Sequence, residues 1–91
     1  MSARLVVPAP LRACASGARE LDADGATVRE VLDDIGRRLP VLERRIRDER
    51  GELRPHVLIY VDGVSVRGGE GLDTPVRDGT EVFIAPAVSG G

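Results

Sequence analysis

His56-Val57-Leu58-Ile59-Tyr60-Val61-Asp62-Gly63-Val64-Ser65-Val66-Arg67 reads as a strand, a tight reversal and a second strand. Side chains alternate across an extended chain, so Val57, Ile59 and Val61 fall on one side and Leu58 and Tyr60 on the other. Both faces are apolar. Asp62-Gly63 is a hairpin dipeptide, because the favoured two-residue turn needs positive φ at both central positions. Further on, Gly68-Gly69-Glu70-Gly71 has too many glycines to continue a strand and marks another reversal, after which Leu72 and Val76 can tuck back as a short turn. Asp78-Gly79 then precedes Glu81-Val82-Phe83-Ile84-Ala85, a final strand closed by Pro86. Residues 87–91 are small and end in Ser89-Gly90-Gly91.

Toward the N-terminus, Arg4-Leu5-Val6-Val7 is apolar and β-branched and is stopped by Pro8 and Pro10, which predicts a first strand. Cys14-Ala15-Ser16-Gly17 is expected to be a turn. Arg19-Glu20-Leu21-Asp22-Ala23 should return as a second strand, before Asp24-Gly25 breaks it. Thr27-Val28-Arg29-Glu30 has capping-box spacing: the hydroxyl accepts from the third helical amide and the glutamate reaches back to the cap amide, so a helix should start at Thr27. Val28, Val31, Leu32, Ile35 and Leu39 form one apolar stripe, with Asp33–Arg37 and Asp34–Arg38 expected as outward ion pairs. Pro40 should end this helix. Leu42 and Ile46 suggest a further helical turn, and the polar residues 48–54 are expected to form a mobile connection.

Two strands, a helix and three strands cannot bury their apolar faces as separate pieces, so the economical arrangement is one mixed sheet around one helix. This is the α+β, β-grasp (ubiquitin-like) pattern: four to five strands around one main helix. Residues 1–86 make the domain and residues 87–91 a flexible C-terminal tail. In this pattern the first and last strands lie side by side at the sheet centre, and the tail, fully extended, would reach about 17 Å beyond the body.

The chain has 91 residues, 42% of them apolar, which fits one compact domain with no room for a deep enzyme pocket as well. A net charge of -2 lacks the clustered cations that phosphate backbones require, which argues against nucleic acid as a partner. One cysteine excludes an internal disulfide, and no apolar run has the length of a signal segment or membrane span, so a cytoplasmic location is expected. All thirteen basic residues are arginine. With no lysine, no side-chain amine is available for acylation by an activated carboxylate.

No catalytic constellation emerges. His56 has no second histidine or arranged cysteine with which to hold a metal or build a triad, and it is expected to be a strand-end residue. Cys14 has only Arg12 nearby to favour a thiolate and is read as an incidental thiol. The glycine-rich reversal opens no helix and lacks the following lysine of a phosphate loop. No metal ligands and no permanently bound cofactor are expected, and the chain is not read as an enzyme. Gly90-Gly91 differs in position: a thread without Cβ atoms can enter a narrow channel that any side chain would block. If Val57, Ile59, Val61, Val82 and Ile84 face the helix, then Leu58, Tyr60, Phe83 and Ala85, with Val6 beside them, form an apolar patch on the other side, the kind of surface that marks a partner site. The competing expectation is that the connection after the helix covers Leu58 and Tyr60.

On the strand at residues 56–62, Asp78-Gly79 and Ile84-Ala85-Pro86-Ala87-Val88-Ser89-Gly90-Gly91, the chain resembles the ubiquitin-like sulfur carriers of the ThiS and MoaD superfamily. The resemblance covers nearly the whole chain and is strongest to the cysteine-pathway carriers of actinobacteria, which also have a longer connection after the helix. It implies that an E1-like enzyme uses ATP to adenylate the Gly91 carboxylate. A sulfur donor then displaces AMP to leave a C-terminal thiocarboxylate, with Val88, Ser89 and Gly90 threading the tail into the partner. A sulfur-accepting biosynthetic enzyme, for cysteine or another metabolite, would take the sulfur. The family's sheet face, here Val6, Leu58, Tyr60, Phe83 and Ala85, would contact the E1-like enzyme. Ala85 departs from the larger aromatic of molybdopterin members, which weighs against a molybdopterin synthase small subunit. Two further functions are compatible with these residues: a protein modifier, ending in an isopeptide bond, and a plain interaction module with an idle tail.

Overall fold

The structure, a computed structural model, describes residues 2–86. Five strands, β1 (Ser2–Val6), β2 (Glu20–Asp24), β3 (Val57–Val61), β4 (Val64–Ser65) and β5 (Glu81–Pro86), form one sheet in the order β2-β1-β5-β3-β4. The central pair, β1 and β5, is parallel, and the remaining pairs are antiparallel. This is the expected mixed β-grasp sheet. The turn between β3 and β4 is the expected two-residue one, with Asp62 and Gly63 at φ 47° and 87°.

Helix α1 (Val28–Arg38) lies on one face of the sheet and buries Val28, Val31, Leu32 and Ile35. These meet Leu5, Ile59, Val82 and Ile84, all fully buried. Thr27 caps the helix by accepting from the Glu30 amide at 3.2 Å. Glu30 reaches past the cap, however, and accepts from the Ala26 amide at 2.9 Å. The Val28 amide is bound by the Thr74 carbonyl at 3.0 Å, so the helix start is tied to the loop before β5. Gly25 is required at this entry, since a Cβ there would come within 2.7 Å of the Val31 nitrogen.

Four further expectations are corrected. Pro8 and Pro10 end β1 but open a 3-10 helix, Ala9–Ala15, which drops Ala15 into the core; the turn contracts to Ser16 and Gly17, both at positive φ. Pro40 does not end helical structure. Leu39 breaks α1, and Pro40 takes the first position of a second helix, α2 (Pro40–Ile46), where its missing N–H has no helical acceptor to lose. Leu42 and Ile46 of α2 are fully buried.

Asp33 does not pair with Arg37. The Arg47 guanidinium, 6% exposed as a residue, is held at 2.8 Å by both Asp33 Oδ1 and Glu43 Oε2. A buried cation draws in carboxylates because leaving it bare is costly, and here that ties α1 to the end of α2. Arg37 instead joins Arg38 on Asp34, at 2.8 and 3.0 Å. Finally, the connection after α2 is pinned rather than open. Asp48 Oδ1 accepts from the Arg50 and Glu52 amides, Arg47 and Leu53 form a bridge, and Arg67 donates to the Arg54 and Val57 carbonyls at 2.9 Å each.

Candidate functional site

The inner face of the sheet is spent on the core, which leaves the outer face for other contacts. Strand register builds a continuous row across it: Glu20, Val6, Phe83, Tyr60 and Ser65 stand as neighbours on successive strands. One step nearer the end of β5, Leu58 faces Ala85. Val6, Leu58, Tyr60 and Ala85 are half-buried and Phe83 is 39% exposed. The five residues expected on the outer face are therefore all there.

Charge bounds this apolar row on one side. Arg4 lies opposite Glu81 and within ion-pair reach of both Glu81 (3.9 Å) and Glu20 (3.8 Å). The β2 edge carries Glu20, Asp22 and Asp24, all exposed, which discourages pairing with another strand. The apolar surface thus concentrates on β5 and β3, toward the end of β5. Val88, Ser89, Gly90 and Gly91, the expected threading and reacting residues, lie outside the described residues.

Other candidate chemistry does not assemble. Among the described residues no group of three or more histidine, cysteine or acidic side chains is placed to hold a metal ion. Cys14 packs partly buried against the core at the end of the 3-10 helix, and the neighbouring Arg12 Nε is directed to the Val7 carbonyl at 3.1 Å. No helix among the described residues is long and apolar enough to cross a membrane. Two carboxyls are held below the ordinary carboxylate range: Asp34 chiefly by the Asp24 amide and then by Arg37 and Arg38, and Asp48 chiefly by the Glu52 amide. Both fasten structure, Asp34 joining α1 to β2 and Asp48 closing the turn after α2. Neither lies in the outer-face row.

One feature escaped the sequence pattern: a groove of about 520 Å³ lined by Arg44, Arg45, Arg54 and His56 with Pro40 and Val41. Its signal in the sequence was the pair Arg44-Arg45, but Arg54 and His56 join it only once the chain turns back from α2 into β3.

Comparison with known proteins fits this architecture. Residues 5–91 match the ThiS family. Sulfur carrier protein CysO of Mycobacterium tuberculosis is 34% identical over 93 aligned positions, covering all of both chains. A chain of the Amycolatopsis orientalis BexX/CysO complex superimposes with a TM-score of 0.89 at 35% identity, covering 98% of this chain and 99% of that one. Small archaeal modifier protein 1 (SAMP1) of Methanosarcina acetivorans superimposes with a TM-score of 0.84 at 34% identity, covering 99% and 96%.

Proposed function

The chain belongs to the ThiS family, and from that premise we propose that it is a sulfur carrier whose working group is the carboxylate of Gly91. The observation that carries the reading is the reach of the family match, which runs to residue 91 and so includes the diglycine. Full-length likeness to CysO supports the same assignment.

The chemistry follows from the weakness of a carboxylate as an electrophile. A Gly91 oxygen attacks the α-phosphorus of ATP in the active site of an E1-like enzyme, pyrophosphate leaves, and an acyl-adenylate results. Hydrosulfide attacks the acyl carbon, AMP leaves, and the terminus becomes a thiocarboxylate. The sulfur is anionic and nucleophilic at neutral pH, and an acceptor enzyme's electrophilic intermediate takes it. The carrier contributes no acid or base to either step. Its part is presentation: residues 1–86 are the body that docks, and residues 87–91 are the thread, with Val88 and Ser89 leading Gly90 and Gly91 into the enzyme.

Val6, Leu58, Tyr60, Phe83 and Ala85 are the docking surface in this reading, because an apolar row beside the end of β5 can seat the body while the thread reaches onward. A chain with thirteen arginines and no lysine cannot capture its own acyl-adenylate through a side-chain amine. Incubation of the purified chain with an E1-like enzyme, ATP and sulfide tests the proposal by intact mass, which should rise by about 16 Da as one oxygen becomes sulfur. AMP release without that rise would overturn it.

Likeness to SAMP1 favours a second reading, in which the adenylate is passed to a lysine of another protein. Covalent adducts in cell extract, recovered with ATP and absent without it, would select that outcome.

A further inference from the structure

The groove beside the start of β3 gathers arginines without acids. Val57 is paired with Pro86, so His56, one residue earlier, lies at the sheet end where β5 stops. Around it the groove is lined by Arg44, Arg45, Arg54, Pro40 and Val41, and among the described residues no carboxylate lines it. The chain as a whole carries 15 acidic against 13 basic residues. Among the described residues Arg44, Arg45 and Arg54 make no ion pair, as is also true of Arg12, Arg19, Arg67 and Arg77, but only here do three such arginines line one groove.

Local geometry explains why the positive charge stays uncompensated. Glu43, the acid of α2, is turned away to Arg47. Arg54 is tied to α2 through its Nε, which donates to the Arg44 carbonyl at 2.8 Å, so cations from two separate segments are held on one rim. Val41, 59% exposed, sets an apolar side chain among them. Cations with no internal carboxylate present a field to which a segment of opposite charge is steered.

We propose that this groove docks an acidic segment of the partner that activates the tail, with carboxylates over Arg44, Arg45 and Arg54 and an apolar side chain over Val41. The identity of that partner as the adenylating enzyme rests on the function proposed above; the acidic character of its segment rests on the groove alone. The placement gives the enzyme a second contact at the sheet end that leads to the thread, separate from the apolar row on the outer face.

Two measurements test this. In the first, the isotope-labelled full chain is titrated with a capped peptide of glutamates flanking a leucine, and separately with ATP. The peptide should shift amides of residues 41–46 and 54–56, less so as salt rises, and should not shift them in the R44E/R45E double variant. That variant keeps its fold, because both side chains are exposed and the Arg44 bond to Arg54 uses the backbone carbonyl. Peptide shifts elsewhere, equal shifts in the variant, or shifts with ATP and none with peptide would each overturn the proposal.

In the second, thiocarboxylate formation is followed at varied carrier concentration. R44E/R45E should raise KM for the carrier about tenfold at low salt with kcat unchanged, and the salt dependence of KM should flatten. An unchanged KM would overturn the proposal. If the wild-type chain accepts no sulfur from any adenylating enzyme, the carrier reading fails, while the peptide titration still decides what the groove binds.

Discussion

Residues 58 and 59 are neighbours in the chain and belong to different parts of the molecule. Ile59 is fully buried against α1, in a layer with Leu5, Val82 and Ile84, whereas Leu58 is half-buried on the opposite face beside Ala85. The same alternation divides β5, where Val82 and Ile84 are fully buried and Phe83 is 39% exposed. The inner set has given its apolar surface to the core, where complete burial of one such side chain stabilises by about 1.5–3 kcal/mol. The outer set retains much of its surface, which stays available for contact with another protein. One strand therefore serves folding and docking on alternate residues, and the two can be damaged separately.

The strongest way to separate them leaves both faces untouched. Gly90→Leu puts a branched side chain where a narrow channel must admit the backbone, and thiocarboxylate formation should be lost while the unfolding curve stays in place. Next comes the comparison within β3. Ile59→Ala should cost about 3 kcal/mol, lowering Tm by roughly 15 °C, and Leu58→Ala less than about 1 kcal/mol. Equal losses at the two positions would erase the distinction between the faces.

A charge on the outer row should act in the opposite sense. Phe83→Arg should raise KM for the carrier about tenfold in the adenylation assay while costing less than about 1 kcal/mol of stability by chemical denaturation. The smallest effect belongs to Asp34, which serves folding alone. Its carboxyl is held below the ordinary range by the Asp24 amide, Arg37 and Arg38. A depressed native pKa means that the stabilisation is complete above the ordinary carboxylate range and disappears as pH falls through the lowered native value. Wild type should therefore exceed Asp34→Asn in stability at neutral pH. The gap should close in strong acid, with sulfur uptake equal at pH 7.

Much of this division was legible in the sequence. The alternation at residues 57–61 assigned each side chain of β3 to its face, Asp62-Gly63 located the hairpin, and Thr27 placed the start of α1. What the sequence concealed depends on tertiary position. Pro40 looks the same whether it ends one helix or opens the next, and only the break at Leu39 decides between them. Pro8 and Pro10 likewise stop a strand without announcing the 3-10 helix that follows. Asp33 has an arginine four residues on, as a helical pair requires, yet Arg47 takes it because a buried guanidinium has the stronger need. The cationic groove stayed hidden for the same reason, since Arg44 and Arg54 are ten residues apart and meet only through the turn after α2. The outer-face row was readable from period two and its apolar patch pointed to partner contact, while the kind of partner came from family resemblance.

Deletion of Gly91, followed by intact mass and thermal unfolding on the same sample, tests the central claim most directly. After incubation with the adenylating enzyme, ATP and sulfide, the full chain should gain about 16 Da and the shortened chain nothing, with the two unfolding transitions superimposed. A shortened chain that still gains sulfur, or one that melts well below the full chain, would contradict the account.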